Sequence, residues 1–378
     1  MKIIDCDRHV IEPIDIWQRY ANSSVLAEYP LELSYDNESK KKERIERGLP
    51  DVSLSPSYTI ASLPVLSNWG EKHQIAAALV KEQSKKDIAR ATTPIGQVLS
   101  MDKDGIDKAL IYPTFANLIV NHSQIPSYVS LEYTRAYNCW LRDYCTYNPE
   151  RLKAVALISR HDTNSLLKQI EEVVTNGWNA ISIRPEPING KTLGHPDYEE
   201  FWLSCEKNNI VVTFHGGTHL QGDTVGIGRF DNRFCLHACS HPMEAQMAFI
   251  SLLEAGVLER YPNLQFAFLE AGCSWVAYWL WRLDNICFDE FPSMIEKNIK
   301  MKPSEYFKRQ CWVSVEIGEP IKDTLDIIGH EKLIFGSDYP HPDHLRFDVN
   351  EIAMNMPELS KNQLDDILYN NPRKLFGI

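Results

Sequence analysis

The sequence predicts an α/β fold, a (β/α)8 or TIM barrel with a long insertion between its first and second strands. Three observations point there. Eight short apolar runs recur along the chain, helical patterns separate most of them, and several runs end abruptly in Asp, Glu or His. Apolar runs alternating with amphipathic helices indicate a parallel sheet covered on both faces. Eight such units fit a closed barrel, with an open doubly wound sheet as the rival. At 378 residues the chain lies within the range of one barrel, so residues 1–378 are expected to form a single domain.

The runs, in order, are KIIDCD (2–7), ALIYPTF (109–115), LKAVALIS (152–159), AISIRP (180–185), VVTFHGG (211–217), FAFLEAG (266–272), CWVSVEI (311–317) and KLIFGSDYP (332–340). Amphipathic stretches at 130–147, 165–176, 198–207 and 242–258 supply helices between them. Residues 28–100 break this rhythm with Pro30, Pro50, Pro56, Pro64 and Pro94. A connection of that length is expected to be a lid over the barrel mouth, an oligomer contact or simple decoration.

Bulk composition narrows the function. The formal charge of −12 argues against nucleic acid and anionic membrane as partners, because both require basic patches. The basic string KKKER (40–44) reads as a solvated helix face. No apolar run of about 18 residues is present to span a membrane. The N-terminus lacks the pattern of a signal peptide, so a cytoplasmic location is expected. Nine cysteines in such a chain are expected to be reduced thiols.

The C-terminal ends of barrel strands face the active site. Here they carry Asp7 and His9 on strand one, His215 on strand five and Glu270 on strand six. Strand eight ends in Asp338, with His341 close behind. Carboxylates and imidazoles converging at one mouth can hold a divalent cation, and such N/O donors suit Zn, Mn, Fe or Ni. Residues two apart on a strand share a face, so Asp7 and His9 can reach one ion. Asp5 is expected on that face one pleat deeper, bracing the barrel. A rival cluster, CLHACSH (235–241), offers Cys235, His237, Cys239 and His241, but its interleaved order lacks the paired spacing of structural zinc sites. His241, placed before Pro242 at a helix start, is instead expected to lean into the mouth as an acid/base or substrate contact.

Taken in order, the strings DCDRHVIEP, FHGG, SHPMEAQMAFISLLEAGVLERYPNLQFAFLEAG, SWVAYWLWRLD, FGSDYPHPD and NNPRKLFGI resemble the amidohydrolase-related family. This branch of the amidohydrolase superfamily includes aminocarboxymuconate-semialdehyde decarboxylase and the resorcylate-type decarboxylases. The resemblance covers the chain apart from roughly 28–95. It implies a (β/α)8 barrel with one catalytic divalent metal held by Asp7, His9, His215 and Asp338. One position departs: where the decarboxylases end strand six in histidine, this chain has Glu270. Either Glu270 takes a different role, or His241 supplies the imidazole. Glu12, in the HVIEP string, is a candidate substrate contact.

Three functions are open at this stage. The first is a metal-dependent hydrolase of a small amide, ester or lactone. In it the metal (zinc first, manganese second) activates water, Asp338 acts as general base, and His241 or Glu270 polarises the substrate. The second is non-oxidative decarboxylation of a hydroxy-aromatic or unsaturated acid. The third is a barrel that binds without catalysis. Trp17 and Tyr339 fit a planar substrate, whereas Trp275 suits core packing. The aromatic segment AGCSWVAYWLWRLD (271–284) is a candidate homo-oligomer contact.

Overall fold

Period-two alternation sorts the eight apolar runs onto two surfaces. The structure, a computed structural model, describes residues 2–67, 69–218, 221–290, 292–341 and 351–378. Its barrel strands are β1 (Ile4–His9), β2 (Lys108–Tyr112), β3 (Leu152–Ala154 continuing as Ala156–Leu157), β4 (Ala180–Ile183), β5 (Val211–His215), β6 (Phe266–Leu269), β7 (Cys311–Val315) and β8 (Leu333–Phe335). Neighbours pair in parallel from β1 through β8. Along β2, Leu110 and Tyr112 join an inner cluster while Ala109 and Ile111 join the outer core under the helices; along β6, Ala267 and Leu269 face in and Phe266 and Phe268 face out. Leu375 and Phe376, from the last helix, complete the inner cluster.

The seam between β8 and β1 is closed by backbone bonds from His9 N–H to the Tyr339 carbonyl (2.7 Å) and from Asp338 N–H to the Asp7 carbonyl (2.8 Å). Gly336 permits this approach: a Cβ there would lie 2.6 Å from the Asp7 Cβ. Within β1 the pairing slips, because Asp5 faces Ala109 but Arg8 faces Ile111. Three steps on one strand against two on its partner make a bulge. Ile4 and Cys6 therefore point into the barrel, and Asp7 and His9 still reach its mouth.

The bulge corrects one expectation. Asp5 does not share the face of Asp7 and His9 but pairs with Arg8 (3.3 Å). Its carboxylate also accepts from Ser337 N–H (2.9 Å) and Ser337 Oγ (2.6 Å), stitching β8 to β1. Arg8 continues to Ser100 and Asp104 on the helix Pro94–Asp104. That helix starts with Thr93 accepting from Gly96 N–H, has Pro94 in its first turn, and stops at Gly105 in the left-handed region (φ 69°).

The long connection between β1 and β2 carries a small antiparallel sheet, Leu31–Ser34, Ser57–Ile60 and Leu63–Pro64, among helices. Leu31, Tyr58, Ile60 and Val65 pack into the outer core. KKKER lies on the helix Glu38–Glu46, where Arg44 is buried in a bidentate pair with Asp36. None of the nine cysteines is in a disulfide. Among the described residues, no helix is long and apolar enough to cross a membrane.

Candidate active site at the barrel mouth

Ligand atoms of Asp7, His9, His215 and Asp338 all lie within 4.8 Å of one another. Three strand ends supply them, and local bonds fix their orientation. His9 donates from Nδ1 to the Pro113 carbonyl (2.8 Å), and His215 donates from Nδ1 to the Gly216 carbonyl (3.2 Å). Both Nε2 atoms therefore turn inward, 2.9 Å apart. Such second contacts are how metal-binding imidazoles are usually held.

The electrostatics suit a cation. Burial, helped by the charge of His341, lowers His9 to about 4, so His9 is neutral and Nε2 offers a lone pair. That nitrogen faces Asp7 Oδ1 at 3.2 Å and Asp338 Oδ1 at 3.3 Å. A lone pair against two carboxylates is repulsive unless a positive charge stands among them. Asp7 Oδ1 is buried without a hydrogen-bond partner. Burial raises Asp7, but the His215 charge outweighs it and brings the group down to about 2. For His215 the burial penalty is outweighed by Asp7 and Glu270, which lift it to about 9. Without metal, a proton on His215 takes the cation's place. The donor set thus fits a divalent ion.

Around these four stand further polar groups. His341 donates from Nδ1 to Asp338 (2.6 Å) and meets Thr114 Oγ1 through Nε2 (2.9 Å). Glu270 lies 3.3 Å from both His215 Nε2 and His241 Nε2. Burial pushes its carboxyl up, yet His241 and His215 together hold it well below the usual range. Glu270 (φ 52°) and Asp338 (φ 53°) both adopt left-handed backbone, which costs a non-glycine residue about 1–3 kcal/mol and clusters at functional sites. A cavity of about 370 Å³ opens beside them, lined by Asp7, His237, His241, Glu270, Ser314, Glu316, Glu319 and Asp338 among others.

Three expected substrate contacts are engaged elsewhere. Glu12 is buried and accepts from the N–H groups of Thr114, Phe115 and Ala116 (3.0 Å each), at the start of the helix Phe115–Val120. Trp17 is fully buried, donating to Tyr58 Oη (2.6 Å) and packing edge-on against Tyr133. Tyr339 carries Arg8 over its ring (3.9 Å) and donates to the Asp87 carbonyl. None of the three lines the cavity. In CLHACSH, His237 and His241 stack edge to face and both line the cavity; no metal-binding group forms there among the described residues. The final Pro342-Asp343 of FGSDYPHPD lies outside the described residues.

Sequence reading passed over Glu316, Glu319 and Arg184. Glu316 follows the apolar run of β7 directly, so the strand-end signal was there to use. Burial first, then the nearby Glu319 and Glu270 carboxylates, push Glu316 up to about 7. Glu319 accepts from the N–H groups of Cys273 (2.7 Å), Ser274 (2.6 Å) and Glu316 (3.1 Å). Arg184, fully buried, pairs with both oxygens of Glu186 and donates to the carbonyls of Gly216 and Gly217. The Gly216 carbonyl is the one that orients His215.

Residues 4–378 match the amidohydrolase family. The chain belongs to that family. It is an enzyme of the family rather than a binding barrel. It is similar to 2-amino-3-carboxymuconate-6-semialdehyde decarboxylase of Dictyostelium discoideum, 23% identical over 252 residues, covering 66% of this chain and 67% of that one. In structure it is similar to an amidohydrolase of Mycobacterium avium subsp. paratuberculosis (TM-score 0.76, 17% identity, 100% of this chain and 99% of the other). It is also similar to 5-carboxyvanillate decarboxylase of Novosphingobium aromaticivorans complexed with manganese and 4-hydroxy-3-methoxy-5-nitrobenzoic acid (TM-score 0.67, 16% identity, 100% and 96%). At these identities the structural likenesses show the fold.

Proposed function

We propose that this chain is a metal-dependent, non-oxidative decarboxylase of a hydroxy-aromatic acid. The observation that carries the reading is the cluster of two imidazoles and two carboxylates at the ends of β1, β5 and β8, in a fold shared with a manganese-bound decarboxylase of such an acid. The relatives support decarboxylation, the second expectation, better than the hydrolysis placed first. Manganese is the cation proposed, ahead of zinc, because two of the four donors are carboxylate oxygens. A homo-oligomer belongs to the same proposal, since the helix Ser274–Arg282 exposes Tyr278 and Trp281.

Held by Asp7, His9, His215 and Asp338, a divalent cation would supply the positive charge that anchors a carboxylate and its neighbouring oxygen. The chain's own residues supply the proton. Glu270, kept ionised, steadies a proton on His241, whose ring borders the cavity. His241 delivers that proton to the ring carbon bearing the carboxylate. The carbon–carbon bond then breaks, CO2 leaves, and the bonding pair restores the aromatic ring. Solvent returns a proton to His241.

Manganese-loaded protein is to be incubated with mono- and dihydroxybenzoates while CO2 is measured. Release is expected from the wild type, with loss of both metal and activity in Asp338→Asn. His241→Gln should retain metal but lose at least about 100-fold in rate. Turnover of esters or lactones without CO2 would reinstate hydrolysis.

A further inference from the structure

The cavity holds five carboxylates, and four have partners within the protein. Asp7 faces the positively charged His215, Asp338 is matched by His341, and Glu270 by His215 and His241. Glu319 is held by three backbone N–H groups. Glu316 is the exception. Its backbone N–H is engaged, but among the described residues its carboxylate makes no hydrogen bond or ion pair, and no lysine or arginine lines the cavity. Strand β7 lies between β6 and β8, so Glu316 stands between Glu270 and Asp338 at the rim of the barrel.

A half-buried carboxylate that lines a binding cavity without a protein partner is free to take its partner from the ligand. We infer that Glu316 selects the substrate: it receives a hydrogen-bond donor, a hydroxyl or amino group, carried on the ring away from the metal-anchored carboxylate, and it rejects a second anion there. The substrate class is then a monocarboxylic aromatic acid with a donor substituent, not a dicarboxylate. Specificity built on one positioned polar group works both ways, since the wrong ligand leaves Glu316 facing like charge.

This inference rests on the decarboxylase reading for the aromatic ring, and its test is independent of the reaction. Two nitrophenols are compared by calorimetry on manganese-loaded protein at pH 8, where Glu316 is ionised, with CO2 monitored so that only binding is read: 4-amino-2-nitrophenol and 4-hydroxy-3-nitrobenzoate. Both offer a phenol and nitro group to the metal, and they differ in carrying an amine or a carboxylate at the same ring position. Wild type is expected to bind the amine at least about tenfold more tightly. In Glu316→Gln the preference should shrink to within about threefold, and in Glu316→Lys it should reverse, with melting temperatures confirming that both variants fold. Equal or tighter binding of the carboxylate by wild type, an unchanged preference in Glu316→Gln, or binding of neither compound would overturn the inference. Failure of the decarboxylase reading would show separately, as no CO2 from hydroxybenzoates with the binding preference intact.

Discussion

Replacing Arg184 by Met tests how far the proposed metal centre is held from behind. The guanidinium is fully buried and donates to two successive carbonyls, Gly216 and Gly217, while pairing with both oxygens of Glu186. Met fills much of the same space with no donor. Glu186 then keeps a buried charge without its counter-ion, a loss of about 3–5 kcal/mol. For a chain of 378 residues, whose unfolding entropy is about 0.8 kcal/mol per kelvin, the melting temperature should fall about 4–6 °C. The Gly216 carbonyl also loses the bond that fixes it, and with it the acceptor for His215 Nδ1. Metal affinity should therefore fall about 10- to 100-fold. The double variant Arg184→Met/Glu186→Met separates the two effects. Removing both charges should restore most of the stability, because a buried pair exchanged for apolar residues is often neutral. It should not restore metal affinity. The assays are thermal unfolding of metal-free protein and competition for manganese against a chelating dye. If the double variant regains affinity along with stability, Arg184 only fills space, and the argument for orientation is wrong.

Three further outcomes follow from the same residues. Burial, and then the Glu186 carboxylate, raise Glu244 to about 8, so the folded state holds this proton more tightly than the unfolded state. Stability from that proton is complete below about 4.5 and is lost as pH rises through about 8. Glu244→Gln should thus be neutral at pH 4–5 and stabilising by up to about 5 kcal/mol at pH 9 in urea unfolding. Gly336→Ala should cost about 1–3 kcal/mol and weaken metal binding, because the new methyl would press on Asp7; denaturation and metal titration on one sample would show both. His215, lifted to about 9, carries a proton that stabilises metal-free protein fully below about 6.5 and ceases to do so above about 9. Uptake of manganese at pH 7 should release about one proton, measurable by calorimetry in buffers of different ionisation enthalpy.

Where an apolar run met an acid or an imidazole, the strand end could be read directly, as for Asp7, His215, Glu270 and Asp338. These positions depend on period-two alternation and on nothing remote. Asp5 failed for a local reason: the bulge in β1 shifts the alternation by one, and no side-chain pattern announces it. Glu12, Trp17 and Tyr339 show the limit of residue type as a guide. Their partners, three amides of one helix turn, Tyr58, and Arg8, come from elsewhere in the chain and are known only after folding. The small sheet between β1 and β2 was equally hidden, since strands of two to four residues are too short to establish a period.

The seam where β8 meets β1 makes the centre a clasp. Asp5 and Ser337 lie 332 positions apart, and the proposed ligands Asp7 and Asp338 sit beside that stitch. No intermediate that lacks β8 can own the proposed ligand set, so metal capture there would report that the ring of strands has shut. A cation that binds only the closed ring draws the folding equilibrium toward it by mass action. Amide exchange at His9 and Asp338, whose N–H groups cross the seam, should slow first and most when manganese is added, ahead of strands β3 and β4 on the far side of the barrel.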